Sequence, residues 1–366
     1  MDRIEILAVD LLDQHRPLVE ELKTIARQLQ LEFGWHYLLD LAWILSHLGE
    51  VSGKVILDAG AGMGVLQWFL AAHGATVLSV DRSSRADLPW RFRRWTRVKG
   101  LRPMDLNPPL SALVNAWRKN LPLKTRFGSM KQVVSGFWKS TPRNLKPLSL
   151  RERGRGEGNL WSERGRGEGN YWWQRGRSEG NLGWQRGRGE ENLWRPRGRG
   201  EGNPWMANGS GQGCVWIYNQ DLSDLTDIPD NCLDAVAALS ALEHNPPDRL
   251  PQVVQELMRV LKPGGILLAT LGASADRDWF HEPSQGWCYS ETTLRRAFDL
   301  TPETPSNYAR YAELMEKLRA CAELRNNLAS FYFRSGENGM PWGKWDPQYQ
   351  SVGVLKVKRT SESRDR

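Results

Sequence analysis

The sequence predicts an α/β fold, a doubly wound and mostly parallel sheet interrupted by a long basic and repetitive insertion. Three observations carry that prediction. Short apolar strands alternate with helical patterns on both sides of the insertion. A glycine-rich loop follows the first of those strands, and composition changes abruptly between residues 82 and 206. At 366 residues, 40% hydrophobic and 25% charged, the chain can bury a sizeable core and is not a wholly disordered polymer.

The elements follow in order. Residues 18–33 place Leu18, Leu22, Ile25 and Leu29 at helical spacing, and residues 37–48 read as a second helix ended at Gly49. Residues 54–59 read as a buried strand, residues 65–73 as a helix after the glycine loop, and residues 76–81 as a second strand. The rhythm resumes beyond the insertion. Residues 215–219, 233–239 and 266–271 read as strands, 250–261 as an amphipathic helix, and 351–358 as the final strand. The insertion therefore falls between the second and third strands, where added length costs little closure entropy.

The sequence also excludes several classes. No apolar run approaches the roughly 20 residues that cross a bilayer. The N-terminal Met-Asp-Arg-Ile-Glu-Ile puts acids where a secretory signal carries a basic and then an apolar region. Cys214, Cys232, Cys288 and Cys321 lie far apart, a spacing that gives neither a zinc site nor a disulfide framework. The expectation is a cytoplasmic chain with reduced thiols and no metal.

The net charge of +8 is unevenly placed. Residues 82–151 hold 17 Lys and Arg against two acids, Asp87 and Asp105, leaving 33 basic and 40 acidic residues elsewhere. In this segment Arg91, Arg93, Arg94, Arg97 and Lys99 lie among Trp90, Phe92 and Trp95. Such interleaving suits a nucleic-acid backbone or an anionic membrane surface, and equally a solvated cationic face. Residues 152–206 repeat with a period of 11 around an Arg-Gly-Arg-Gly/Ser-Glu core followed by Trp. Their glycines argue against helix and their small apolar content argues for disorder. An RNA-binding arginine-glycine tract is the functional competitor, but 11 basic residues there face 8 acids.

The chemistry sits in Val55-Ile56-Leu57-Asp58-Ala59-Gly60-Ala61-Gly62-Met63-Gly64, a strand running into Gly-x-Gly-x-Gly and then a helix. Glycines permit the turn and let a ligand approach the backbone, while the helix start offers free N–H donors. Asp81 ends the next strand, where an acid can accept both ribose hydroxyls. A dinucleotide-binding fingerprint would need glycine three places after Gly62, where Val65 stands.

Taken with Asp221 in Tyr-Asn-Gln-Asp-Leu, Leu233-Asp234-Ala235-Val236 through Leu242-Glu243-His244, and Leu261-Lys262-Pro263-Gly264-Gly265, the chain resembles the class I S-adenosylmethionine-dependent methyltransferases, whose sheet is Rossmann-like. The resemblance covers residues 51–82 and 215–271. It implies S-adenosyl-L-methionine as cofactor. Asp58, Gly60, Gly62 and Gly64 would surround its methionine part, Asp81 would bind the ribose, and Asp221 with Leu222 would meet the adenine. Together with the charge and composition, it gives a division into N-terminal helices closing as a cofactor lid (1–50, with Gly34-Trp35-His36-Tyr37), a first half (51–81), a basic insertion (82–151), disordered repeats (152–206) and a second half with substrate-side elements (207–366).

A base is needed only where the acceptor carries a proton, and His244, after the fourth strand, is the candidate. Asn107-Pro108-Pro109 and Asn245-Pro246-Pro247 lack the following aromatic of a nucleobase-amine signature and read as turns. Trp279, Phe280, His281, Trp287, Tyr289, Tyr332, Trp342, Trp345 and Tyr349 either line an acceptor pocket or form core under the final strand. The expected acceptor is a small molecule, lipid or glycan. An RNA-directed enzyme using the basic insertion, or a non-catalytic nucleotide-binding assembly module, are the alternatives.

Overall fold

The computed structural model describes residues 1–86, 88–106, 213–328, 340 and 343–359. The chain divides into two units, Met1–Leu106 with Trp172–Arg366, and Asn107–Tyr171. Every described residue belongs to the first. The 11-residue repeats, Tyr332, Trp342 and Asn107-Pro108-Pro109 lie outside the described residues.

The chain opens with a short strand, β1 (Arg3–Ile6), and a single helical turn, α1 (Leu11–Gln14). Helix α2 (Arg16–Leu29) carries Pro17 in its first turn and buries Val19, Leu22, Ile25, Ala26 and Leu29, the apolar stripe of a 3.6-residue period. Helix α3 (Tyr37–Leu48) is buried nearly all round. Then come β2 (Val55–Ala59), α4 (Val65–Ala72) and β3 (Thr76–Asp81), followed by α5 (Trp90–Trp95) and β4 (Arg97–Gly100). Beyond residue 212 lie β5 (Cys214–Asn219), β6 (Leu233–Leu239), α6 (Leu250–Val260) and β7 (Leu261–Ala273). The last elements are β8 (Trp279–His281), β9 (Gly286–Tyr289), α7 (Glu291–Ala297), α8 (Tyr311–Ala320), α9 (Ala322–Asn326) and β10 (Gln350–Val357).

The strand order is β1-β10-β7-β6-β2-β3-β5-β4, with β9 joining β7 and β8 joining β9. Strands β7, β6, β2, β3, β5 and β4 run parallel, and β10 is antiparallel to both neighbours. Side-chain alternation feeds two cores. Ile56, Val77, Val215 and Ile217 meet α2, α3 and α4, while Val55, Leu57, Leu78 and Val236 meet α6 and α7. Where α3 crosses β10, the bare backbone of Gly353 lies under Trp43, and a Cβ there would come within 2.5 Å of the indole ring. Order reverses between β2 and β6, so the crevice beyond their carboxyl ends is where an open α/β sheet takes its ligand.

Three features differ from the sequence expectation. The N-terminal segment carries an edge strand, because Ile4 and Ile6 alternate inward against β10 some 350 residues away. Residues 88–106, assigned by charge to the insertion, hold α5 and edge strand β4, with Leu88, Phe92 and Leu101 buried behind the basic residues. The fifth motif strand is longer than expected, since Lys262–Gly265 bulges within β7 and the pairing with β6 shifts there.

Candidate functional site

The glycine loop is held by its own backbone and by one acid. Gly60 has φ +72° and Gly62 φ +47°, conformations that favour glycine. The Gly60 and Ala61 amides both donate to the Val80 carbonyl, at 2.9 and 3.0 Å. A Cβ on Gly60 would overlap the Cβ of Ala241, in the turn after β6, so the loop and that turn touch directly. Gly64 is the residue before α4, and its amide donates to Ala61 O at 2.9 Å. Asp81 is buried at the end of β3. Its Oδ2 accepts from the Gly62 amide (2.9 Å) and its Oδ1 from the Ser83 amide (2.7 Å).

Beneath the loop runs a polar network that the sequence reading missed. Gln67, fully buried on α4, points Nε2 at the carbonyl oxygens of Ala61, Gly62 and Gly64, 3.1–3.3 Å away. Its Oε1 accepts from Ser79 Oγ at 2.7 Å, and that hydroxyl in turn accepts from Arg85 Nη1. Arg85 Nη2 donates to Ser79 O (2.7 Å) and Tyr218 O (3.0 Å). The available signal was a lone polar residue in each of two apolar runs, Val-Leu-Gln-Trp-Phe-Leu and Val-Leu-Ser-Val.

Asp58 sits in the same buried layer, accepting from the Gln67 backbone N–H, with Oδ2 left without a partner. Burial raises its carboxyl to about 7, with Asp81 adding to the rise and Arg85 opposing it. Burial likewise brings the Arg85 guanidinium down to about 10, against the pull of Asp81, Asp58 and Asp105. A carboxyl that titrates higher in the folded state than in the unfolded one contributes stability below its unfolded value, near 4, and loses it as pH rises through 7. Ligand-free wild type should therefore lose stability relative to Asp58→Asn between pH 5 and 8, by roughly 2–4 kcal/mol. Thermal midpoints of both proteins across that range check it, and a constant gap contradicts it.

The other candidates are placed differently. Asp221 is exposed after β5, its Oδ1 accepting from the Ser223 amide (2.9 Å) and hydroxyl (2.7 Å). Partial burial pushes its carboxyl upward, and the Ser223 bonds outweigh that, so the net direction is down. Leu222 beside it is half-buried. His244 is exposed and its Nδ1 lies 2.9 Å from Gln285 O, whereas its neighbour Glu243 is turned inward and buried. The residues of the expected lid do not stand free. Trp35 and His36 are buried against Tyr349, and α3 behind them packs on the sheet.

Much of the described basic stretch is occupied internally. Arg85 is buried, Arg91 Nε donates to Leu29 O at 2.8 Å, and Arg102 pairs with Asp105 at 3.0 Å. Lys99 lies over Trp216 and Arg94 over Trp90. Of the aromatic residues, Tyr289 and Tyr349 are buried, while Trp279, Phe280 and Trp287 are half-buried. Among the described residues no group of three or more His, Cys, Asp or Glu could hold a metal ion, and no helix is long and apolar enough to cross a membrane.

The model of the methyltransferase domain family matches residues 203–269, from ahead of β5 into β7. Over those 67 of 366 residues the chain is similar to a methyltransferase domain. Solved structures similar to it include geranyl diphosphate C-methyltransferase from Streptomyces coelicolor A3(2), at 12% identity over 88% of this chain and 81% of that one, TM-score 0.35. A putative sarcosine dimethylglycine methyltransferase from Galdieria sulphuraria is 13% identical over 93% and 98%, TM-score 0.39. The phosphoethanolamine N-methyltransferase 2 of Haemonchus contortus is 12% identical over 96% and 60%, TM-score 0.40. No curated protein matches the chain.

The residues around the glycine loop fit S-adenosylmethionine, the cofactor that the motifs imply. The cradle at Gly60 has no room for a Cβ, and Asp58 Oδ2, buried beneath the loop, has no hydrogen-bond partner.

Proposed function

We propose that the chain transfers a methyl group to a small-molecule, lipid or glycan acceptor, with Asp58, Gly60, Gly62 and Gly64 around the methionine part of S-adenosylmethionine, Asp81 at its ribose, and Asp221 with Leu222 at its adenine. The bound cofactor supplies the electrophilic methyl, and the chain supplies alignment and exclusion of water. The observation that carries this reading is the Asp81 carboxylate. It lies buried at the end of β3 and hydrogen-bonded to the middle of the glycine loop, so one acid both sets the loop and stands where ribose hydroxyls would arrive.

Asp81→Ala is expected to weaken S-adenosylmethionine binding at least tenfold, since a charge-assisted hydrogen bond is worth about 1.5–3 kcal/mol. Equilibrium dialysis of wild type and variant checks it, and unchanged affinity would remove Asp81 from the site. The acceptor class is tested by incubating the protein with S-adenosylmethionine labelled in the methyl group and fractionated cell extract. Label in the small-molecule, lipid or glycan fractions supports the proposal. Label confined to RNA would replace it with the RNA-directed alternative.

A further inference from the structure

The turn after β6 presents a buried acid that, among the described residues, pairs with no Lys or Arg. Glu243 is 8% exposed, its Oε1 accepts from Ser240 Oγ, and its Oε2 is buried with no hydrogen-bond partner. Two residues earlier, Ala241 packs against Gly60, so the turn that carries this acid borders the glycine loop, and the Glu243 side chain itself lies against Gly286 at the start of β9. Ser240, held at φ +47°, also shares a hydrogen bond with the Tyr37 side chain at the start of α3.

A second acid stands close by on α3. Asp40 is fully buried, pairs through Oδ2 with His36 Nδ1 at 2.6 Å, and leaves Oδ1 unpartnered. Burial alone would pull His36 down, but the Asp40 carboxylate outweighs it, so the imidazole is held toward its charged form. Asp40 and Glu243 both face His36, and His244 also acts on Glu243 from the exposed side. Among the described residues, neither acid is paired with Lys or Arg. A buried carboxylate without a cationic partner costs several kcal/mol, so a site that keeps one unmatched is built for a positive ligand.

Resting on the methyltransferase reading above, we propose that the acceptor is an amine, and that Glu243 receives its ammonium group and takes one proton from it. The proton passes to Glu243 Oε2 and frees the nitrogen lone pair. That pair forms the new N–C bond to the methyl carbon as the C–S bond breaks, its electrons passing to sulfur. S-adenosylhomocysteine and the methylated ammonium leave, and Glu243 returns its proton to solvent. Burial raises the Glu243 carboxyl, against the pull of His244, Ser240 and His36, which suits it to accept a proton. An ammonium with an ordinary pKa of about 10.4 is within reach of such a base, as a phenol at about 10 also is, and the positive charge that the buried acid would match is what favours the amine.

The test uses sinefungin, the cofactor analogue in which an amine-bearing carbon replaces the methylated sulfur and so places an ammonium where the methyl meets the acceptor. Wild type is expected to bind sinefungin at least tenfold tighter than S-adenosylhomocysteine. Glu243→Gln should abolish that preference while keeping S-adenosylhomocysteine affinity within about twofold. An equal preference in wild type and Glu243→Gln overturns the proposal. So does the absence of any preference in wild type, a result that does not depend on how the variant folds. Failure of wild type to bind S-adenosylhomocysteine at all would instead strike the cofactor reading on which this one rests.

Discussion

Gly60→Val is expected to reduce S-adenosylmethionine affinity by at least a hundredfold. The backbone at φ +72° costs a β-branched residue of order 1–3 kcal/mol, before any contact is counted. The new Cβ would also overlap the Cβ of Ala241. Both atoms are attached directly to main chain, so neither can swing away as the tip of a long side chain would. The glycine loop or the turn after β6 must shift, and each forms one wall of the crevice. A displacement of about 1 Å in a positioning element can cost a hundredfold in function. Binding of labelled S-adenosylmethionine to the folded variant checks this, and affinity within threefold of wild type would show that the loop does not form the cradle.

Arg85→Met is expected to destabilise the protein by about 3–5 kcal/mol, the cost of breaking a buried charge network by removing one partner. The guanidinium donates to Ser79 Oγ, Ser79 O and Tyr218 O, and supplies positive charge to a layer holding Asp58 and Asp81. Without it, Asp58, already raised to about 7 by burial, loses the one group that opposes the rise most. The double variant Arg85→Met with Asp58→Asn should therefore recover at least 1 kcal/mol relative to the sum of the single changes. Urea denaturation of the four proteins checks it, and simple additivity would mean that the two groups do not interact.

The sequence displays some elements of the fold and site openly and hides others. Strands β2 and β3 were legible because each is a continuous buried run whose neighbour is close in sequence, and the glycines between them have few other uses. Strand β1 was not, since its four residues take on meaning only when β10 pairs with them. Strand β4 was hidden by charge. Arg97 and Lys99 point outward, and a count of basic residues cannot distinguish an edge strand from a tail. At the site, the loop glycines and Asp81 lie together as the motif implies. Gln67, Ser79 and Arg85 come from three separate elements, and each alone is an unexplained polar residue. Between Glu243 and His244 a short 3-10 turn decides which side chain faces inward, a choice that residue type does not encode.

The central claim is that the crevice beyond β2, β3 and β6 holds S-adenosylmethionine and its demethylated product. Calorimetric titration of wild-type protein with S-adenosylhomocysteine tests it most directly. The expected result is saturable binding of one ligand per chain. No heat of binding from a protein shown to be folded, at any temperature where the heat of such an interaction should be measurable, would contradict it.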